Sequence, residues 1–353
     1  MLVKHKVLIA GAGMAGLVAA VRARELGASP TVLEKGDRPG GSMYLSSGVV
    51  WRYREWDEFR RQCPNGDPVL QRLVWERLDD ALAWLELRGA EAVERTTSNP
   101  LTTGMRFEPR ALTETLARRV DGIQLHQPLR ELPDGVPVIL ATGGFQGDRD
   151  LVREHITPEA DALVLRANQF SRGDGLRVGL RAGARLSDGM AEFYGRNLAA
   201  APQIPAERFV SLGQLYARYA TVVNSRGETF ETRNWSEIDV VQWTARQPGA
   251  RAWYRVPAAA LGERVRKRTV GEMVEAARAA GAAVEERPGE VVVPVVAGIT
   301  TTLGGLRIDE LARAADGLYV AGADAGGIST GGWASGLASA LVLGLVAAES
   351  ALA

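Results

Sequence analysis

The chain opens on an apolar run, Val7-Leu-Ile-Ala10, that passes directly into Gly11, Gly13 and Gly16 and then into Leu17-Val-Ala-Ala-Val-Arg-Ala-Arg-Glu-Leu26. Aliphatic residues broken by glycine and followed by an alanine-rich stretch predict strand, tight turn and helix. After Gly27 a second strand, Pro30-Thr-Val-Leu-Glu34, is expected to end in an acid. Leu70, Leu73, Val74, Leu78, Leu82, Trp84 and Leu85 recur at helical spacing. Residues 53–89 therefore read as helices, with Trp75 and Trp84 in their core. Pro109, suited to a first turn, starts a helix that runs to Val120. The strand Ile123–His126, a tight turn over 132–137 and a buried strand, Val138 to Ala141, follow. Residues 176–184 read as a helix, with Asp174 at its cap. From about Met190 to Pro294 the pattern turns irregular and richer in Arg, Trp and Tyr, with helices expected near 236–245 and 269–281. The chain then returns to a turn and buried strand over 316–322, a glycine-rich loop over 326–332, and a last helix opened by Ala334-Ser335-Gly336-Leu337-Ala338.

The first turn carries the spacing G-x-G-x-x-G. Gly11 permits the turn, Gly13 lets the backbone approach a pyrophosphate, and Gly16 lets helix and strand pack closely, with Ala15 on the same turn. Free N–H groups and the positive end of the helix dipole then face the phosphates. Glu34, about twenty residues further on, stands at the spacing of a ribose contact. The segment from Lys35 to Trp51 has no counterpart in the needs of a nicotinamide-binding fold. Gly40-Gly41 would bring backbone N–H groups to a second face of a dinucleotide, and Ser42 and Ser46-Ser47-Gly48 would follow its ribityl chain towards a ring.

Composition narrows the partners. Over 353 residues, 42 basic side chains balance 42 acidic ones, which argues against a nucleic-acid or anionic-membrane partner. Cys63 is the only cysteine, so internal disulfides are excluded and a reducing cytoplasm is expected. Lys4 and Lys6 followed by apolar residues imitate a signal peptide, but the apolar stretch is the nucleotide-binding strand and helix, with no small-residue cleavage site before it. The run Leu337–Ala353 is apolar, yet too short and too rich in Ala and Ser for a membrane span. A soluble, cytoplasmic protein is expected, and no metal site is evident.

Glu34-Lys35 followed by Gly40-Gly41-Ser42 and Ser47-Gly48 resembles the fumarate reductase/succinate dehydrogenase flavoprotein superfamily, and within it the soluble branch of 3-ketosteroid dehydrogenases and tricarballylate dehydrogenases. Further similarity lies in Val138 to Phe145, Gly173-Asp174-Gly175 with Ala182-Gly183-Ala184, Val222 to Gly227, Leu303 to Leu306 and Gly317 to Asp324. The resemblance implies an α/β Rossmann-like FAD-binding domain of the glutathione-reductase type, interrupted by a mobile α+β cap, with the active site between them. On this reading residues 1–190 and 295–353 form the FAD-binding domain and 191–294 the cap. It implies FAD contacts from Ala141, Thr142 and Gly143 at the adenosine half, from Asp174 and Gly322, and from Asp324 on the ribityl chain. Ser335, Leu337 and Ala338 would aim the last helix at the pyrimidine edge of the ring. The positive end of that helix would stabilise an anionic reduced flavin. No histidine lies between Gly36 and Trp51, so FAD is expected to be held non-covalently.

The departures are equally informative. The superfamily's substrate-binding histidines fall at about Gly195 and at Thr300 or Thr301, its carboxylate-binding arginine at about Gly331, and its proton-delivering arginine at about Glu237. Fumarate chemistry is therefore not expected. Phe193, Tyr194, Tyr216, Tyr219, Thr301, Thr302, Thr330 and Trp333 stand in their place, a set of rings and hydroxyls suited to an apolar carbonyl compound. The expected reaction is dehydrogenation of a CH–CH bond next to a carbonyl, or its reverse, with hydride exchanged at flavin N5 and an unidentified electron acceptor. Glu237 is the first candidate for the base, ahead of Asp239, Tyr194 and Tyr216, and an Arg233-paired surface carboxylate is the competing reading of it. Thr301, Thr302 and Thr330 are candidate donors to the substrate carbonyl. A flavin oxidase acting on a C–N or C–O bond, or a flavin-binding protein without turnover, are the alternatives.

Overall fold

The computed structural model describes residues 5–97 and 99–353, and Lys4 lies outside them. The chain divides into two compact units. The first comprises Met1–Asp148, Asn168–Glu192 and Thr301–Ala353, and the second comprises Arg149–Ala167 and Phe193–Thr300. The expected boundaries shift accordingly. Residues 149–167 leave the first domain because Val164–Leu165 pairs in parallel with Gly298 and Ile299, which ties that segment into the sheet of the second unit. The same sheet carries the second unit past Pro294 to Thr300.

The first unit is built on six strands in the order Arg313–Ala315, Leu318–Val320, Val138–Leu140, Lys6–Ala10, Ser29–Leu33 and Ile123–Gln124. All neighbours but the first pair run parallel. Its middle strands carry Ile9, Val138, Ile139, Leu140, Leu318 and Val320 with almost no exposure, as a sheet covered on both faces requires. The helix Met14–Glu25 makes the first crossover. Against it lies the closing helix Gly336–Ala351, buried from Ala338 to Ala348. Their close crossing depends on Gly344, where a Cβ would stand 2.7 Å from the Ala15 carbonyl. Burial of Leu341, Leu343 and Val346 on this helix contributes about 1.5–3 kcal/mol each. Among the described residues no helix is long and apolar enough to cross a membrane.

The helical stretch expected over 53–89 resolves into Trp56–Gln62 and Pro68–Leu87. The second begins where Asp67 accepts from the N–H groups of Val69 and Leu70, with Pro68 in its first turn. Trp84 is buried as expected, whereas Trp75 is half-buried and donates its ring N–H to the Tyr53 carbonyl at 2.9 Å. The strand expected over 123–126 stops at Gln124, because His126 turns into the left-handed region (φ 57°).

In the second unit the strand Glu290–Thr302, mostly β-branched, pairs antiparallel with Arg251–Pro257 on one side and Glu285–Arg287 on the other. Thr221–Val223 and Thr229–Phe230 extend the sheet beyond Arg251–Pro257. Near its carboxyl end the long strand takes Val164–Leu165 and Phe193–Ala199 as further partners. Helices Ile238–Ala245 and Val270–Ala279 lie close to the expected ranges, the latter opened by a capping box of Thr269 and Glu272. The core of this unit gathers Tyr216, Val222, Tyr254, Val256, Met273, Val293 and Val295.

Candidate functional site

The glycine turn divides its labour as its spacing predicts. A Cβ on Gly11 (φ 103°) would overlap the Ala141 carbonyl oxygen, and one on Gly16 would overlap the Gly11 carbonyl oxygen. Above Gly13, by contrast, nothing stands within 4 Å of the position a Cβ would take. Gly13 is also the amino-terminal cap of the helix Met14–Glu25, and no side chain bonds the free N–H groups there. Open space over an uncapped helix amino terminus is the setting a pyrophosphate needs. Gly40 (φ 110°) bridges to Gly13 in parallel register and donates to the Ala12 carbonyl at 2.8 Å. Gly41 would bring a Cβ to 3.3 Å from the Gly13 Cα, so both loops present bare backbone to the same space.

The acids of this unit brace the cradle more than they project from it. Glu34 accepts from the N–H groups of Ala12 at 2.8 Å and Gly36 at 2.7 Å, joining the two loops that flank the pyrophosphate position. Lys35 is paired with Asp174 at 2.7 Å. Asp174 is therefore no helix cap; Gly173, in the left-handed region at φ 72°, holds that position without a side-chain bond. Asp324, expected on the ribityl chain, accepts from the N–H and hydroxyl of Thr142 and from the N–H of Gly144. Burial raises its pKa, and these three donors oppose that rise by favouring its charged form. Through these bonds Asp324 clamps the loop Thr142–Gly144. Ser42 accepts from the Asn168 N–H at 3.2 Å, and Gly48 takes a left-handed turn (φ 71°) under the Phe107 carbonyl, beside the exposed Ser47. Gly143 (φ 98°) and Gly144 (φ 79°) open the end of the strand Val138–Leu140. Gly322 faces Ala15, and Ser335 caps the closing helix by accepting from the Ala338 N–H at 3.3 Å, one residue beyond the half-buried Leu337.

Three buried polar atoms of this unit have no hydrogen-bond partner: Gln146 Oε1, Thr302 Oγ1 and Thr330 Oγ1. Gln146 Oε1 and Thr302 Oγ1 converge on Gly144, within 3 Å of where its Cβ would be. Buried polar atoms are nearly always satisfied in a complete structure, so these orphans fit a polar group that belongs beside them. Thr301, in contrast, turns its hydroxyl towards the Thr302 carbonyl at 3.3 Å.

The second unit holds a different kind of site. Tyr194 and Arg196, two apart on the strand Phe193–Ala199, share one face of it. The Arg196 guanidinium lies over the Tyr194 ring at 5.0 Å and donates to the Ser236 carbonyl. Arg166, which follows Val164–Leu165, donates to Thr300 Oγ1 at 2.9 Å. Arg266 joins from the turn of the hairpin formed by Arg264–Val265 and Arg268–Thr269. Burial pushes the Tyr194 phenol up, but Arg196, Arg166 and Arg266 outweigh it and hold the phenol below its usual range.

Glu237 is buried, not a surface carboxylate paired with Arg233. It caps the helix Ile238–Ala245 in a left-handed conformation (φ 58°), and its Oε1 has no hydrogen-bond partner. Desolvation pushes it up to about 7 against the pull of Arg196, Arg218 and Arg266. Asp239 accepts from Thr232 and Arg233 and so shapes the loop before that helix. Tyr216 is removed from the list of chemical candidates. It is fully buried, packs edge-on to Tyr254 and donates to Gln214 Oε1 at 2.7 Å, and burial drives its pKa upward. Phe193 is likewise core, and Tyr219 packs against the same cluster. The three arginines escaped a sequence reading that looked only at the superfamily's own substrate positions. The alternation Tyr194-Gly-Arg196 was the available signal. Gly195 itself lies flat on the neighbouring strand, where any Cβ would overlap the Gly298 carbonyl oxygen.

Comparison with known proteins accords with this geometry. Residues 9–53 match the family described as NAD(P)-binding Rossmann-like domain. Vinyl phenol reductase from Lactiplantibacillus plantarum is 27% identical over 238 residues, which are 54% of this chain and 48% of that protein. The chain thus spans about half the length of this curated relative. Among solved structures, a flavocytochrome c3 fumarate reductase in an open conformation aligns with a TM-score of 0.72 at 20% identity, covering 99% of this chain and 78% of that one. The 3-ketosteroid Δ1-dehydrogenase from Sterolibacterium denitrificans aligns with a TM-score of 0.72 at 17% identity, covering 99% and 100%. These two share the fold. Residues 72–339, well over half of the chain, match the FAD binding domain family, to which this chain belongs, and FAD is its cofactor.

Proposed function

We propose that this protein is an FAD-dependent oxidoreductase that removes two hydrogens from, or adds them to, a carbon–carbon bond activated by a neighbouring carbonyl. The first unit holds FAD non-covalently, and bound FAD supplies two-electron exchange through N5. The chain's own residues handle the proton. Tyr194, acidified by the arginines around it, exchanges the proton at the substrate Cα through its phenolic oxygen. Glu237, poised at about 7, is the buried store from which that proton is replaced. In the first unit, the orphaned hydroxyls of Thr302 and Thr330 are donors available to a polar group bound there. The names of the vinyl phenol reductase, fumarate reductase and ketosteroid dehydrogenase relatives are all consistent with a reaction of this type.

The observation that carries the reading is the acidified Tyr194 with the Arg196 guanidinium over its ring, and the buried Glu237 facing that same arginine. Perturbed groups of this kind concentrate at catalytic sites. The test is anaerobic mixing of the FAD-loaded protein with a panel of saturated ketones and, after photoreduction, with the matching enones. Bleaching or recovery of flavin absorbance by at least one pair is expected. In Tyr194→Phe the rate should fall about 10²–10⁴-fold with FAD content unchanged. No response to any member of the panel, or a full rate in Tyr194→Phe, would overturn the assignment.

A further inference from the structure

We infer that the second unit carries a binding site for a single organic anion, a carboxylate by preference, gripped by Arg166, Arg196 and Arg266. The three guanidinium groups come from separate segments: after the strand Val164–Leu165, on the strand Phe193–Ala199, and on the turn after Arg264–Val265. None of them forms an ion pair among the described residues. The one carboxylate facing two of them, Glu237, is held part-neutral by its burial. Desolvation of the guanidinium heads, with repulsion from Arg196, lowers the pKa values of Arg166 and of Arg266, whose side chain is otherwise exposed, so the grouping costs energy as it stands. Bringing cations together out of water costs several kcal/mol per ion unless a counter-charge compensates. Tyr194 alone does not supply it: a phenol shared among three arginines leaves the cluster with excess positive charge.

Access and geometry point the same way. Arg196 is buried, Arg166 and Tyr194 are half-buried and Arg266 is exposed, so the cluster grades from interior to solvent. Arg166 is anchored through Thr300 and the Phe209 carbonyl, and Arg196 through the Ser236 carbonyl, leaving other N–H groups of each fork available. Five non-glycine residues among those described have left-handed backbone, and two of them, Glu237 and Arg266, belong to this cluster. Strain of that kind persists where function requires it. A planar fork matches a carboxylate through two parallel hydrogen bonds, which favours that anion over a phenolate.

The identity of this anion as part of the substrate rests on the function proposed above; the anion site itself does not. Calorimetric titration of the FAD-loaded protein with benzoate, with neutral benzamide of the same shape, and with 4-nitrophenolate separates the two. None of these probes has a CH–CH bond to oxidise, so the result stands whether or not ketones bleach the flavin. Benzoate is expected to bind at least about tenfold more tightly than benzamide and more tightly than 4-nitrophenolate. Arg266→Met, on an exposed turn, should reduce the benzoate preference to less than about threefold while keeping full FAD content. Arg166→Met provides a second variant should the hairpin rearrange. Equal affinity for benzoate and benzamide, or an undiminished preference in both variants, would overturn the site. Tighter binding of 4-nitrophenolate than of benzoate would overturn the carboxylate assignment.

Discussion

The two units use polar groups in opposite ways. In the first, bare backbone lines the cradle: Gly13 and Gly41 face the same space, Gly11 and Gly40 spend their N–H groups on the Leu33 and Ala12 carbonyls, and Glu34 and Asp324 spend their oxygens holding loops in place. In the second, charged side chains gather, and the charges do not balance: Arg166, Arg196 and Arg266 act on one tyrosine, and a buried glutamate keeps one oxygen unpartnered. A backbone cradle accepts one shape of ligand and is insensitive to pH. A cluster of perturbed side chains stays responsive to protons and to the charge of whatever approaches it.

That contrast can be broken first at the glycines. Gly16→Val drives a side chain into the Gly11 carbonyl and should cost about 3 kcal/mol, seen as a fall of roughly 4–6 °C in thermal midpoint. Gly13→Val has no protein atom to strike, so the midpoint of the FAD-free protein should hold while flavin absorbance of the purified protein is lost. Equal thermal damage in both variants would contradict the division of labour between them.

The next largest effect is on pH dependence. Glu237 lies at about 7 in the folded chain against an ordinary value of 4.5, so the folded state binds the proton more tightly. The contribution of this residue is therefore fully favourable below about pH 4.5 and is lost as pH rises through about 7, a swing of about 3 kcal/mol. Glu237→Gln should flatten that slope in denaturant titrations run across this range. If the slope persists, another group carries it. The smallest effect belongs to Tyr216→Phe. Removing the hydroxyl leaves Gln214 Oε1 unserved, at about 1–3 kcal/mol, with flavin reduction by any active ketone unchanged.

The same contrast explains what could be read without the structure. Gly11 and Gly16 act on each other across five residues, so their roles are written in their spacing. The partners of Glu34 and Asp324 are not legible in the same way, since Asp324 meets donors about 180 residues away at Thr142 and Gly144. The polar cluster is assembled from Arg166, Tyr194, Arg196, Glu237 and Arg266, five positions scattered over a hundred residues and joined only by strand pairing. Tyr216 looked chemically able because it is a tyrosine in an aromatic stretch, and only its depth in the core shows otherwise. Segment 149–167 was misassigned for a related reason: a two-residue strand, Val164–Leu165, is too short to announce which sheet it will join.

The flat contact between Gly195 and Gly298 limits what that strand can carry. With two strands drawn together until no β-carbon fits, a ring at position 195 is barred, and no imidazole can be seated there unless the strands move apart. Whatever polar groups this stretch of strand offers must therefore come from its neighbours Tyr194 and Arg196, spaced two apart on one face.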